Sequence, residues 1–556
     1  MLIKLNNSHP DVILLTGDHY VDHPSFGIAV IARVLQNEGY SVWICAQPDA
    51  KDNFKEIDLL PKPNLFFGIT SGCIDSTVNL YTVNRVKRKT DAYTDGGSSL
   101  DRIRNTLTTY ANKVRSSFKD SFIVLGGVEA TLRRFAHYDF FTQKIQPSLL
   151  ENCSADVIVY GSGENTIKDI AKLIKENKKD NIFDLKGITY KLPLSHEDTL
   201  KELKHLTDSE SLKTSPEKML PFTEDIYKYS QPFFKEKIYQ KNRKSIIVQN
   251  PPAHPLTSKE MDYVHSLPFT YLPIPKPKKM LKAFETVRNT VISHRGCGGG
   301  CSFCAISLNQ GKLIQSRSID NILEEIDKRH LKSISDLQGP TANLYGARCK
   351  REDYCQRSSC LFPQVCNNLV IDENVYLRLL KKVNSAVKHL SISSGIRFDI
   401  PYKKALDFIL KNDIAGGQLK VAPENCDDEI LDLMRKPDFK KFEHFVEFFK
   451  KTRKKYKKDI YLIPYIISAF PTSTYNKTKK LKEDLIRLLG FVPFQIQDFT
   501  PTPTTIATAL YLKLKKISAK EREKMRDLLH EKRNKTTKEK RTKQEYKKSG
   551  RKRKKK

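Results

Sequence analysis

The stretch of sequence that decides the fold lies between Arg295 and Cys304 and reads RGCGGGCSFC. It places three cysteines at the spacing Cys-x3-Cys-x2-Cys, directly after a predicted strand at Thr286 to Ser293. Cysteine thiolates hold iron–sulfur clusters, and a four-iron cluster offers one ligand position per iron. Three cysteines therefore leave one iron free to bind a substrate or cofactor. The three consecutive glycines let the loop wrap closely around such a cluster.

Zinc is the alternative occupant of this cysteine group. A structural zinc site uses four protein ligands, commonly in closely spaced pairs. The segment supplies Cys297, Cys301 and Cys304 and no fourth nearby ligand. The pattern therefore favours a 4Fe–4S cluster.

The residues around this motif alternate between short apolar strands and amphipathic helices. We predict six strand–helix units between residues 285 and 512, which indicates an incomplete α/β barrel of the TIM type. Enzymes with such barrels place their chemistry at the carboxyl ends of the strands. The predicted strands are Thr286 to Ser293, Ser333 to Leu337, His389 to Ser393, Gln418 to Ala422, Tyr461 to Ile467 and Phe494 to Phe499.

The amino-terminal part of the chain shows a similar alternation. Strands such as Val12 to Thr16 and Ser121 to Leu125 are separated by helical patterns, which predicts a doubly wound parallel sheet over residues 1–185. Residues 186–284 lack clean periodicity and contain several prolines. They predict a wrapping linker with short elements.

A second cysteine group falls inside the barrel region, in an insertion at residues 345–368. Four thiols within 18 residues predict a second metal site, either an iron–sulfur cluster or zinc. Reduced thiols without a metal are the remaining alternative. The group consists of Cys349, Cys355, Cys360 and Cys366.

The chain is basic, and its charge is unevenly distributed. Its 556 residues carry a formal net charge of +33, and residues 531–556 contain 15 Lys and Arg against 3 acidic residues. For residues 513–556 we predict a helix followed by a disordered polybasic tail. Such a tail attracts RNA or another polyanion, or acts only as a solubilising segment. No apolar run reaches the roughly 18 to 20 residues of a membrane helix, so we expect a cytoplasmic protein without a membrane partner and with reduced thiols.

The cysteine motif after a first barrel strand resembles the radical S-adenosylmethionine (SAM) superfamily. Further motifs resemble the YgiQ-type family within it, among them DVILLTGD from Asp11, GPTAN from Gly339 and LKVAPE from Leu419. The resemblance implies that the open iron binds SAM and that a donor such as ferredoxin or flavodoxin supplies an electron. It also implies that Phe303 lies near the adenine, Gly339 near the methionine part and Glu424 near the ribose or amine.

The resemblance further implies that the amino-terminal sheet is of the cobalamin-binding type. The sequence lacks an Asp-x-His-x-x-Gly arrangement there, so we expect no bound cobalamin. The implied activity is reductive cleavage of SAM to a 5′-deoxyadenosyl radical. Methyl or methylthio transfer to RNA or protein is our own first hypothesis for the reaction that follows. The competing hypothesis is a non-catalytic RNA-binding protein in which both cysteine groups hold structural metal.

Overall fold

A computed structural model describes residues 1–100, 102–514 and 517–530 of the chain. The predicted polybasic tail at residues 531–556 lies outside the described residues. Two α/β units make up the described chain, a large open sheet followed by a partial barrel. This confirms the fold class that the sequence predicts for both units.

The first unit contains a ten-stranded sheet within the described residues. In spatial order its strands run β1-β3-β2-β4-β5-β8-β9-β12-β11-β10, and β6 and β7 form a separate hairpin. The strands are β1 (Leu2–Lys4), β2 (Val12–Thr16), β3 (Val42–Ala46), β4 (Phe66–Thr70), β5 (Phe122–Gly126), β6 (His137–Asp139), β7 (Lys144–Gln146), β8 (Val157–Val159), β9 (Ile188–Pro193), β10 (Lys204–Leu206), β11 (Ile238–Lys241) and β12 (Ser245–Gln249).

Both faces of the central strands are buried, as expected for a doubly wound sheet. Along β2, Val12 and Leu14 face one apolar core, whereas Ile13 and Leu15 face the other. The helices that flank the sheet are α1 (Gly27–Asn37), α2 (Lys55–Asp58), α3 (Ser76–Leu80), α4 (Thr106–Ser117), α5 (Gly127–Leu132), α6 (Glu164–Lys175), α7 (Ser209–Thr214), α8 (Met219–Tyr229), α9 (Ser258–Ser266) and α10 (Lys282–Val287).

The region predicted as a linker differs from expectation in its first half. Residues 188–249 supply β9 to β12, which extend the sheet beyond β8, largely in antiparallel order. A 3-10 segment joins β9 to β10 and a short turn joins β11 to β12, while α7 and α8 lie between β10 and β11. The regular βα alternation used for the prediction therefore misses these strands. Residues 267–274 do wrap the first unit, since Tyr271 donates its backbone N–H to Asp22 O and Ile274 donates to Tyr20 O.

The barrel forms from parallel strands that follow one another along the chain. β13 pairs with β17, β16 with β20, β21 with β22, and β22 with β23, while a parallel bridge joins Ile396 to Val421 of β21. The strands are β13 (Thr290–Ile292), β14 (His294–Arg295), β15 (Gln315–Ser316), β16 (Ser333–Ile334), β17 (Asp336–Gln338), β18 (Arg348–Cys349), β19 (Leu369–Val370), β20 (His389–Leu390), β21 (Gln418–Glu424), β22 (Tyr461–Ser468) and β23 (Ile496–Asp498).

Amphipathic helices cover the outside of the barrel. Their apolar faces join the strands in one core, as Phe442 and Phe445 of the longest described helix, α16, show. The helices are α11 (Ile306–Asn309), α12 (Ile319–Lys328), α13 (Glu373–Ala386), α14 (Lys403–Lys411), α15 (Asp428–Leu433), α16 (Phe439–Lys455), α17 (Tyr475–Leu489), α18 (Ile506–Lys513) and α19 (Ala519–His530). Among the described residues, no helix has the length and apolar character needed to cross a bilayer.

Candidate metal centre and the cavity beside it

The three-cysteine loop follows β14 at the carboxyl end of the first barrel strand and leads into α11. Its backbone requires glycine at two positions. Gly296 has φ +82°, and a Cβ there would stand 2.1 Å from Leu313 O. Gly300 has φ +58°, and a Cβ there would stand 2.6 Å from Ser358 O. Glycine alone accommodates both the left-handed backbone and the close approach of neighbouring chain.

Two distant parts of the barrel hold this loop in place. Ser302 is fully buried; its backbone N–H donates to Met434 O at 3.0 Å and its hydroxyl donates to Leu433 O at 2.7 Å. Its carbonyl oxygen accepts a hydrogen bond from the backbone N–H of Ala507 at 2.9 Å. The loop is therefore fixed by contacts on both sides before any metal is considered.

The three cysteines of the loop share one electrostatic environment. Burial raises the pKa of the Cys304 thiol to about 12, and Cys301 raises it further. Burial also raises the pKa of Cys297, which Arg397 partly offsets. A metal must therefore displace the thiol protons on binding, as thiolate ligation requires.

Arg397 brings a permanent cation to the cysteines. Its Nη1 lies 4.0 Å from Cys301 Sγ, and a Cβ on Gly299 would stand 2.7 Å from Nη1. The guanidinium pairs with Asp399 through contacts of 2.8 and 2.6 Å. Burial opposes the charge of Arg397, but the Asp399 carboxylate outweighs burial and raises the pKa. Sequence reasoning missed this pair, although both residues follow directly after the third predicted strand.

The structure also brings Glu424 close to the loop. This residue ends β21 with φ +68°, an uncommon backbone conformation for a non-glycine residue. Burial raises its pKa, and Lys436, whose Nζ lies 3.8 Å from Oε1, works in the opposite direction. The charge of Glu424 is also a minor cause of the raised pKa of Cys304.

Phe303 belongs to the loop itself, whereas Gly339 comes from the neighbouring strand segment after β17. Phe303 is partly buried and packs against the barrel core. Gly339 follows β17, and a Cβ there would stand 2.0 Å from the Cε1 atom of His294. Their roles toward adenine and methionine stay predictions.

A cavity of about 460 Å³ separates the first sheet from the barrel. The carboxyl ends of β2, β4 and β5 line one side of it, and Gly339, His294 and Arg295 line the other. This volume lies within the range of ordinary small-molecule sites. It also lies where doubly wound sheets bind their ligands.

Three polar atoms on residues lining this cavity are buried without a hydrogen-bond partner in the described structure: Glu164 Oε2, His294 Nε2 and Asn309 Oδ1. The other carboxylate oxygen of Glu164 forms an ion pair with Arg295. Burial lowers the pKa of His294 to about 4, so its imidazole is neutral at physiological pH. Buried polar atoms normally find partners, and these atoms suit a polar ligand.

The second cysteine group lies against the glycine side of the loop. Cys349, Cys355, Cys360 and Cys366 all line one small cavity. Among the described residues, no three His, Cys, Asp or Glu side chains stand together as ligands of a single metal ion. The first cysteine group nevertheless suits a cluster, which is larger than a single metal ion. Its three thiols belong to one loop, and three successive residues of that loop, Gly298, Gly299 and Gly300, carry no side chain.

The chain matches two family profiles that together span most of its length. Residues 2–290 match the profile described as Radical SAM N-terminal, and residues 291–485 match the Radical SAM superfamily. A UPF0313 protein from Methanocella arvoryzae is 41% identical over 514 residues, which cover 90% of this chain and 85% of that protein. The chain belongs to the UPF0313 family of radical SAM enzymes.

A second UPF0313 relative, from Thermotoga neapolitana, is 38% identical over 524 residues and covers 91% of both chains. These relatives confirm the YgiQ-type resemblance. The family implies a 4Fe–4S cluster and SAM as cofactors, and it supports the prediction that the chain is an enzyme.

Solved structures share the fold at low identity. TsrM from Kitasatospora setae, a radical SAM methyltransferase with tryptophan and a SAM analogue bound, superposes with a TM-score of 0.51 at 13% identity. The match covers 89% of this chain and 74% of that one. A second TsrM structure, with cobalamin and a [4Fe-4S] cluster bound, gives a TM-score of 0.50. The expectation that the UPF0313 chain binds no cobalamin stays a prediction.

Proposed function

We propose that Cys297, Cys301 and Cys304 hold a 4Fe–4S cluster at which SAM binds and is cleaved reductively. The observation that carries this proposal is the fixed glycine loop with its three thiols at the carboxyl end of the first barrel strand. When bound, the cluster supplies one electron to the sulfonium of SAM, which yields methionine and a 5′-deoxyadenosyl radical. The chain itself supplies the binding, the orientation and the exclusion of water.

Arg397 is the residue that we assign to charge balance in this site. Thiolate ligands are anionic, and a buried guanidinium 4.0 Å from Cys301 Sγ stabilises them. Asp399 holds the guanidinium plane through two contacts, so the cation cannot swing away from the cysteines. Arg397 is thus a positioning residue for the loop.

Glu424 and Phe303 are the residues that we assign to SAM itself. Glu424 ends barrel strand β21, and its oxygens can accept hydrogen bonds from the SAM ammonium group or ribose hydroxyls. Phe303 lies between the second and third cysteines and offers a ring face to adenine. We assign Gly339 to the methionine part because it lines the cavity beside the loop, where the His294 ring packs against its backbone and leaves no space for a Cβ.

The cavity beside the loop is the site that we assign to the substrate or to a second cofactor. We propose radical-dependent methyl or methylthio transfer to RNA or protein as the reaction to test first. The methyltransferase fold of TsrM and the unpartnered polar atoms in the cavity support a ligand there. Cobalamin is the second candidate ligand, on the strength of the same cavity at the carboxyl edge of the sheet.

Anaerobic reconstitution tests the proposed function. Wild-type protein reduced with dithionite should convert SAM to 5′-deoxyadenosine, and Cys301→Ala should lose both this activity and about four irons per chain. Cys153→Ala removes a buried cysteine of the first unit and serves as the matched control. Equal, negligible turnover by wild type and Cys301→Ala would instead support the non-catalytic hypothesis.

Cobalamin binding is tested separately on the same preparation. Titration with hydroxocobalamin should leave its visible spectrum unchanged if our expectation is correct. Saturable spectral change that Gly126→Leu abolishes would assign the cavity to a corrinoid, because Gly126 lines its sheet side.

A further inference from the structure

The second cysteine group occupies an insertion that the barrel does not need for closure. At the base of the insertion, β18 and β19 form an antiparallel pair in which Cys349 lies opposite Leu369. Between them the backbone N–H of Cys366 donates to Cys360 O at 2.8 Å, which folds the insertion back on itself. All four cysteines, Cys349, Cys355, Cys360 and Cys366, line the same small cavity, the enclosed space of the insertion.

This insertion rests directly on the first cysteine loop. The backbone N–H of Cys360 donates to Gly298 O at 2.8 Å, and the Ser359 hydroxyl donates to Gly299 O at 2.7 Å. Cys360 Sγ lies 3.7 Å from where a Cβ on Gly298 would stand. Cys297 Sγ lies 3.3 Å from where a Cβ on Gly299 would stand. Gly298 thus adjoins Cys360 of the second group, and Gly299 adjoins Cys297 of the first.

A buried cation marks the enclosed space as a place for negative charge. Lys312 is 5% exposed and lines the space together with the four cysteines. Its Nζ donates to Cys355 O at 3.2 Å and to Arg357 O at 2.7 Å. Within the described parts of the chain no carboxylate forms a salt bridge with Lys312. A buried ammonium without an anion is costly, and thiolates bound to a metal would supply that anion.

We propose that Cys349, Cys355, Cys360 and Cys366 ligate a second four-iron cluster behind the glycine loop. Structural zinc sites favour gaps of two to four residues between cysteines, and only the middle gap here falls in that range. Four thiolates complete the ligand set of one four-iron cluster. The Lys312 ammonium offsets part of its charge.

The position of the second cluster gives it a redox role, and this part rests on the proposed function. A low-potential one-electron carrier protein gives one electron to the second cluster, which is thereby reduced. That electron then passes across the Gly298 backbone to the first site, which becomes reduced as the second is reoxidised. No atom or proton is transferred.

Metal analysis of the full-length protein tests the proposal. After anaerobic purification and reconstitution, wild type and the control Cys153→Ala should hold about eight irons per chain. Cys355→Ala and Cys301→Ala should each hold about four, and the double variant none. Four irons in both wild type and Cys355→Ala would overturn the second cluster, and so would one zinc per chain that Cys355→Ala releases.

Electron paramagnetic resonance of the reduced wild-type protein tests for the second cluster independently of whether Cys355→Ala folds. Two clusters this close should give a spin count near two per chain with magnetic broadening, which Cys301→Ala removes. A narrow signal of one spin would overturn the proposal. If Cys355→Ala lowered the iron content and Cys301→Ala did not, the proposed function would be refuted, whereas the second cluster would be supported.

Discussion

Replacing Gly300 by alanine should weaken the contacts between the first cysteine loop and the insertion that carries the second cysteine group. The residue has φ +58°, and a left-handed conformation costs a non-glycine residue about 1–2 kcal/mol. The new Cβ would also stand 2.6 Å from Ser358 O and 2.7 Å from Ser359 Cβ. Backbone must move apart to relieve these contacts, because neither neighbouring atom belongs to the end of a flexible side chain.

The displaced backbone carries the hydrogen bonds that join the insertion to the loop. The bonds from Cys360 N to Gly298 O and from Ser359 Oγ to Gly299 O each contribute about 0.5–1.5 kcal/mol. Together with the backbone cost, Gly300→Ala should destabilise the closed loop by about 2–5 kcal/mol. That corresponds to an open population at least about 30-fold larger than in wild type.

The rate of iron loss to a chelator reports this open population. Gly300→Ala should lose iron at least about 30-fold faster than wild type, since loss requires the loop to open and its rate follows the open population. Gly490→Ala is the matched control, because Gly490 has φ +80° with no atom near its would-be Cβ and lies at the end of α17. It should lose iron at the wild-type rate. Equal rates for Gly300→Ala and wild type would refute the argument.

Three further outcomes follow from the described residues. Arg397→Gln should release iron faster than wild type in the same chelator assay, because it removes the cation beside Cys301 and leaves Asp399 unpaired; unchanged release would place Arg397 outside the site. Phe442→Ala should cost about 3–5 kcal/mol in urea denaturation of the barrel, since the ring is fully buried. Burial lowers the pKa of His294 to about 4, so the unfolded chain binds the proton first as pH falls below 6.5, and stability should drop by up to about 3 kcal/mol by pH 4. A denaturation midpoint that is no lower at pH 4.5 than at pH 7 would contradict this prediction.

The parts of the site that sequence reasoning located are local in the chain. Three cysteines and three glycines within eight residues predict a metal loop without knowledge of its surroundings, and an apolar strand before them places it at a barrel edge. The same holds for the central strands of the first sheet, where VILLT between Val12 and Thr16 is apolar enough to be buried on both faces.

The parts that were missed depend on contacts between distant segments. Arg397 reaches Cys301 across 96 positions, and Lys312 meets Cys355 across 43. No periodicity marks either residue, because each lies in a loop whose position is set by the barrel. The strands β9 to β12 were missed for a related reason: they add to an existing sheet edge in mostly antiparallel order, and among them helices separate β10 from β11 alone.

The hydrogen bond from Ala507 to the carbonyl of Ser302 has a consequence for how the protein is made. A chain that emerges from the ribosome amino terminus first exposes the three cysteines long before Ala507 is synthesised. Until then the cysteine loop lacks one of its anchors and the barrel lacks its last helices. Metal delivered to a nascent chain would therefore meet an unfinished loop. We therefore expect stable metal binding only after synthesis, when the last segments have folded back against the cysteine loop.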